Sequence, residues 1–404
     1  RQNGVAIARA EAPALYGQAD GMTLYAGGVD VTSASYHGYA GAKTPVGMDL
    51  SNAAGWPNIA VSSGQVAIDP VTGRFRFHTG GAAQRSGMWD PSPPPQANNN
   101  AHDGVYVQGD YAYVSDWMRG LDIVDISDPS NPTFVANIYD TAAEDAGMDV
   151  VVDGNYAYVL LKAKGLHIVN ISNPASPQHV SSIKASTTQN DVALHLFKSG
   201  NLVYVADEAF GVVIYNVSNP ASPTKVGVCG IGFAESVWVE GRYAYITGGN
   251  NGFQIWDVLN PAAPVKRGEL ATIGYSRDVQ VVGQYAYVTE GQSGLRVVDV
   301  SDPTHPTHVT TVATADGAEA YDIRIANGCA YIAENTIGPD SNSPGYVEVF
   351  DLANPAAPVL LRQYYHSADG FCGVYPVGPL VYTAAHRYGL WVINPNLDEA
   401  PDGA

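Results

Sequence analysis

The sequence predicts an all-β chain: a seven-bladed β-propeller with an N-terminal β-rich extension. Three observations predict it. A set of four short apolar strands recurs from residue 102 almost to the end of the 404 residues. A proline loop of constant form punctuates that set six times. The composition, with Gly 43, Pro 26 and Tyr 25, calls for many turns and aromatic-rich strands and argues against a helical bundle. The expected organisation is an N-terminal extension over residues 1–82, a propeller over 83–396 and a short tail over 397–404.

The first 82 residues do not repeat. Val29-Asp-Val-Thr-Ser-Ala-Ser-Tyr36 alternates as a strand does, and Gln65–His78 reads as a β-hairpin turning at Asp69-Pro70…Gly73. The proline-rich stretch after Trp89 runs into Asn98–Asn100, a stiff and then flexible entry to the first blade. Such an extension has two uses. It packs on its own ring, or it adds strands to a neighbouring subunit by β-augmentation.

From residue 102 each copy begins with an apolar strand ending at Gly. A strand of the Tyr-Ala-Tyr-Val type follows, then a Gly turn, a third strand, the proline loop and a fourth strand. The second strands start at Tyr111, Tyr156, Leu202, Tyr243, Tyr285, Cys329 and Leu380. The third strands include GLDIVDIS (120–127), GLHIVNIS (165–172), GVVIYNVS (211–218), GFQIWDVL (252–259) and GLRVVDVS (294–301). Four strands in 40 to 50 residues is the period of a propeller blade. The loops read Asp128-Pro129…Pro132, Asn173-Pro174…Pro177, Asn219-Pro220…Pro223, Asn260-Pro261…Pro264, Asp302-Pro303…Pro306 and Asn354-Pro355…Pro358. Asx caps backbone amides and Pro fixes φ, so the pair starts a turn. The second Pro opens the outer strand, an edge position that tolerates a missing N–H.

Blade 7 has no outer strand after Gly389–Asn394. The missing strand is expected upstream. Thr133–Asp140, the outer strand of blade 1, ends in Tyr-Asp, and Ala83–Asp90 ends in Trp-Asp at the matching distance before blade 1. Residues 83–90 are therefore expected to close blade 7, so that the two ends of the ring segment seal it.

The third-strand consensus Leu-x-Ile-Val-Asp resembles the LVIVD repeat family of bacterial and archaeal surface proteins. The resemblance covers about residues 83–396 and implies a β-propeller in an extracellular or cell-surface setting. It carries no common catalytic residues. Blade 6 departs from the pattern by inserting a polar loop, Asn335–Gly345.

Inner strands of a propeller line its channel. Counting back seven residues from each second-strand start gives Asp149, Asp278 and Asp322, with Asp103 as the neighbour in blade 1. These four carboxylates are the expected metal candidates, since hard cations such as calcium prefer oxygen ligands; otherwise no cofactor is expected. A residue repeated in each blade is more often structural, so the same carboxylates read first as caps on the loops entering their blades. Blade 4 offers Glu235 and Ser236 there, and blade 3 offers Asp191 or His195. An enzymatic reading would draw on His102, His195, Arg277, Tyr321 and His386, a His/Arg/Tyr set of the kind found in polysaccharide-cleaving propellers.

The charge balance, Lys+Arg 20 against Asp+Glu 39, gives −19 and argues against nucleic-acid partners. No apolar run approaches 18 residues, so no spanning helix is expected. The chain begins Arg1-Gln2-Asn3, as a mature form relieved of its targeting signal would, and as a trimmed chain would. Asn170-Ile-Ser and Asn216-Val-Ser match glycosylation sequons but occupy one repeat position. Three cysteines leave a Cys329–Cys372 disulfide open. GxSxG, HExxH, P-loop and EF-hand motifs are absent from the sequence. The expectation is a non-catalytic secreted or cell-surface protein: a binding platform, or a subunit of an extracellular filament or surface layer that self-assembles through residues 1–80. The alternative is a secreted carbohydrate-active lyase or hydrolase using the channel mouth.

Overall fold

The computed structural model describes strands at residues 25–26, 29–30, 58–61, 64–68, 75–78 and 83–89. It also describes residues 102–398 except 117–119, 139–145, 187–191, 316–317, 337–343, 367–369 and 386–388. Every regular element among the described residues is a β-strand, and none is a helix able to cross a membrane. Seven four-stranded sheets form the blades of a β-propeller.

Blade 2 shows how the repeat builds its sheet. Gly147–Asp153, Tyr156–Leu161, Gly165–Asn170 and Gln178–Ile183 lie antiparallel in chain order. The first two join through the two-residue turn Gly154-Asn155, where Gly154 takes φ +59°, a conformation that strains any residue with a Cβ. The second and third strands are buried on both faces, because a blade on either side covers them. Their apolar character is therefore nearly continuous. The outer strand is exposed or half-buried along most of its length.

Neighbouring blades share cores. Leu160, Leu166 and Ile168 of blade 2 pack with Val203, Val213 and Tyr215 of blade 3. The proline loops add a second contact. Their Asx side chains accept the amide two residues on, as Asp128 does from Ser130 at 3.0 Å, which fixes the turn. The Pro carbonyl then meets the outer strand of the preceding blade: Ser181 Oγ donates to Pro220 O at 2.5 Å. The Asp that ends the Leu-x-Ile-Val-Asp strand has a local duty. Asp125 accepts the Ser127 amide at 2.8 Å and starts the loop.

Blade 7 consists of Phe371–Val377, Leu380–Ala385 and Gly389–Asp398, with Ala83–Trp89 bonded beside the last as its outer strand. Gly87 approaches the blade 1 loop so closely that a Cβ would lie 2.1 Å from Pro129 O. Trp89 stacks on Phe134 with ring centroids 5.8 Å apart and enters the core that joins Val105 and Val114 to Leu390 and Val392.

The chain divides into two compact units, Gln84–Pro395, and Arg1–Ala83 with Asn396–Ala404. In the latter, Asn58–Val61, Gly64–Ile68 and Phe75–His78 form a three-stranded antiparallel sheet. Gln65 pairs with His78 and Ile68 with Phe75, the register of the hairpin read from the sequence. Of the Val29–Tyr36 segment only Val29–Asp30 is described; it pairs with Tyr25–Ala26. No disulfide joins Cys329 to Cys372, so that option is not taken. Burial pushes the Cys229 thiol up to about 12, which makes it an inert core group.

Candidate functional site

The first strand of each blade carries its chemistry at its start. In blades 2, 3, 6 and 7 the register with the second strand shifts there, between Gly147 and Asp149, Ala193 and His195, Ala320 and Asp322, and Phe371 and Gly373. Each shift leaves one extra residue: Met148, Leu194, Tyr321 and Cys372. A β-bulge of this kind re-aims side chains at the end of a strand. Glu235 and Arg277 hold the corresponding positions in blades 4 and 5, just before the paired strands.

These positions converge on one 220 Å³ cavity to which all seven blades contribute. Gly104, Asp149, His195, Ser236, Asp278 and Asp322 line it, each seven residues before its second strand. The bulge residues Met148, Leu194, Tyr321 and Cys372 join them, with Glu235, Arg277 and Arg324. The structure thus brings together His195, Arg277, Tyr321, Asp149, Asp278, Asp322, Glu235 and Ser236. The side chains of His102 and Asp103, and all of Asp191 and His386, lie outside the described residues.

The three aspartates do one job. Asp149 Oδ1 accepts the Val150 amide at 2.7 Å, and its Oδ2 accepts the Leu196 amide of blade 3 at 2.8 Å. Asp278 accepts the Val279 amide at 2.8 Å and the Ile323 amide of blade 6 at 3.1 Å. Asp322 accepts the Val374 amide of blade 7 at 2.7 Å. Each carboxylate therefore pins the inner strand of the following blade, where the sequence had suggested a cap on its own entry loop. Arg324 Nη1 donates to Asp278 at 3.1 Å and to Asp322 at 2.9 Å, which places a fixed cation between two of the metal candidates. Among the described residues no group of three His, Cys, Asp or Glu is arranged to hold a metal ion.

Burial raises Asp322 well above the usual carboxylate range, and the charge of Asp278 adds to that. Burial works to raise Asp278 as well, but His195, Arg324 and bonds from Asp322 and Ser236 outweigh it and hold Asp278 low. The proton of this pair therefore sits on Asp322. Burial also raises Asp149, opposed by His195. Ser236 Oγ lies 2.5 Å from Asp278 Oδ1 and 3.2 Å from His195 Nδ1. An ionised Asp278 can only accept, so the hydroxyl proton points to it and not to the imidazole.

A second network shares the cavity. Arg277 bonds Glu235 of blade 4 at 2.9 Å and Glu319 of blade 6 at 2.8 Å. Its guanidinium is held between the rings of Tyr275 and Tyr321, 4.6 and 4.4 Å from their centroids. Tyr275 donates to Glu235 at 3.0 Å. Burial raises Glu235 against the pull of Arg277 and Tyr275, and Glu208 adds to the rise.

Sequence reasoning missed Met148, Leu194, Cys372 and Arg324. The first three stand one residue before the position found by counting back seven, and Arg324 stands two after it. Stepping one residue back from that position reaches the first three, and two residues on reaches Arg324; unremarkable residue types hid the first three.

Comparison with known families decides the identity of the repeat. Residues 101–141, 146–185, 191–230, 231–272 and 273–314 each match the family model described as LVIVD repeat. The chain belongs to the LVIVD repeat family. These five copies are blades 1 to 5 and make up about half of the chain. Blades 6 and 7 of this LVIVD protein keep the four-stranded form outside the matched segments. Comparison with curated proteins gives no match. Among solved structures the chain is similar to the computationally designed Ika8 protein, at 8% identity and a TM-score of 0.52. That match covers 74% of this chain and 98% of the other, and it bears on the fold alone.

Proposed function

We propose that this protein is a non-catalytic, secreted or cell-surface β-propeller that works as a binding and assembly subunit. One observation carries the non-catalytic part: the carboxylate, hydroxyl and guanidinium candidates at the channel mouth are spent on holding the ring, which leaves His195 Nε2 without a hydrogen-bonded partner to act with. Asp149, Asp278 and Asp322 accept amides of the following blades. Ser236 commits its proton to Asp278, and Arg277 is held by two glutamates and two tyrosines. A general acid or base needs its proton or lone pair turned toward a substrate.

The assembly part is supported by the N-terminal sheet. Its strands run four or five residues, and small sheets of that length are marginal without a partner surface. Exposed blade edges accept strands. A strand passed to the next ring makes a head-to-tail contact that need not close, which yields a fibre. The test is native mass by light scattering with and without residues 1–80. Full-length protein should form assemblies, and the deletion should stay monomeric with its β-sheet spectrum intact. A full-length protein that stays monomeric at high concentration and in its native source overturns the reading.

A second reading, a carbohydrate-active lyase or hydrolase, is favoured by one feature: His195, Arg277 and Tyr321 do meet in one cavity. Its test is release of new sugar ends from a polysaccharide panel, with loss of that release in Tyr321→Phe.

A further inference from the structure

We infer that the channel mouth is a recognition site for an alkylammonium group, whose form on a protein is the lysine side chain. Three observations meet there. The first is room. The 220 Å³ cavity exceeds the roughly 150 Å³ of a cavity that takes up benzene, enough for a stem of four or five carbons with its head group.

The second is an apolar wall. Met148, Leu194 and Cys372 are bulge residues from three different blades, and all face this cavity. An aliphatic stem gains by covering them, while a compact hydrated ion gains nothing.

The third is the balance of donors and acceptors. Asp149, Glu235 and Asp278 line the cavity with the protonated Asp322 against two guanidiniums, and Glu319 stands beside Arg277. Most of the strong donors are already engaged; Arg277 Nε is buried without a hydrogen-bond partner, and so is His195 Nε2, which faces Asp149 at 3.7 Å and Asp278 at 3.9 Å. Arg277 serves Glu235 and Glu319, Arg324 serves Asp278 and Asp322, and Ser236 serves Asp278. The acceptors keep capacity, because a carboxylate offers about four lone-pair sites. Glu235 uses two of them, on Arg277 and Tyr275. Asp149 uses two, on Val150 and Leu196. A ligand must therefore bring donors and positive charge at one end and carbon at the other. The net charge of −19 draws such a group toward the protein.

The inference is independent of the assembly reading, since a monomer can bind and an assembling protein can fail to. The test uses the full chain with pentylammonium, and 1-pentanol as the equal stem without charge. Pentylammonium at about 100 times its Kd should raise the Tm by a few degrees, and pentanol should not. Glu235→Gln should weaken binding by about tenfold, the loss of one charge-assisted partner. Leu194→Trp, which fills the cavity and keeps every charge, should abolish it. A peptide carrying one lysine separates the two sources. Tenfold tighter binding than the free amine marks a partner's lysine, equal binding marks a small-molecule amine, and either supports the ligand class. No shift with pentylammonium, an equal shift with pentanol, or binding unchanged in both variants overturns the inference.

Discussion

Replacing Glu334 by Gln should flatten the decline of stability with rising pH. Glu334 lies on the second strand of blade 6 opposite Tyr346, and Glu348 on the third strand opposite Ile332. The two side chains share one face of the sheet, and their residues are 0% and 1% exposed. Gln363 donates to Glu348 at 2.6 Å. Burial, and then the charge of Glu348, pushes Glu334 up to about 10 from an ordinary 4.5. Burial raises Glu348 too. One proton therefore stays between the carboxyls in the folded ring, while the unfolded chain releases it above its ordinary value. Below that value both states hold the proton and its stabilisation is complete. As pH rises toward 10 the folded state alone keeps it, so stability falls by about 1.4 kcal/mol per pH unit. Over three units from about pH 6 the loss reaches about 4 kcal/mol, or roughly 8 °C in Tm at about 2 °C per kcal/mol. Gln keeps the shape and gives Glu348 a fixed donor. Thermal melts of both proteins between pH 6 and 9 measure the difference in slope. Equal slopes would refute the shared proton.

Gly87→Val should lower the Tm of the ring by an amount worth about 1–3 kcal/mol, because a Cβ there meets Pro129 O at 2.1 Å. Gly230→Ala, with nothing within 4 Å of its Cβ, is the control that should leave the melt unchanged. Deleting residues 1–80 should leave a soluble ring, whereas deleting 1–92 removes Ala83–Trp89 and should cause aggregation; like melts for the two would undo the closure argument. Asp278→Ala should cost about 3 kcal/mol in chemical denaturation, since it strips the Ile323 amide and Ser236 of their acceptor. Calcium at millimolar concentration should leave the Tm where it is, because a cation between Asp278 and Asp322 would have to displace Arg324; a clear rise would support the metal reading.

The sequence made the architecture legible because each blade repeats the same local chemistry. Gly at φ +59° to +63° in four of the first hairpins, Asx-Pro at the third turn and a doubly buried apolar strand between them are local signals that do not depend on partners. The closing strand was legible for the opposite reason. Blade 7 lacked a strand, and a ring leaves one place for it. The convergence at the channel mouth was half legible. A constant hairpin length puts residues seven before Tyr156, Tyr285 and Cys329 at one height, so counting finds Asp149, Asp278 and Asp322. Counting does not find what those carboxylates face. Their partners are amides 45 to 52 residues away on the next blade, contacts set by the rotation between sheets.

That same rotation explains why a mouth rich in titratable groups supports binding better than catalysis. In a closed ring each inner strand exposes its first amide to the blade before it, and a buried amide without an acceptor is costly. Aspartate in blades 2, 5 and 6 answers that need, and it brings negative charge into the channel. Arg324 and Arg277 then answer the charge, each bridging two carboxylates. Gly104, His195 and Ser236 hold the same position in blades 1, 3 and 4 and line the cavity with the aspartates. Beside the arginines the mouth also carries apolar bulge residues, and Glu235 and Asp149 keep lone pairs beyond the bonds they make. An entering ammonium would add to the neutralisation that Arg277 and Arg324 make there.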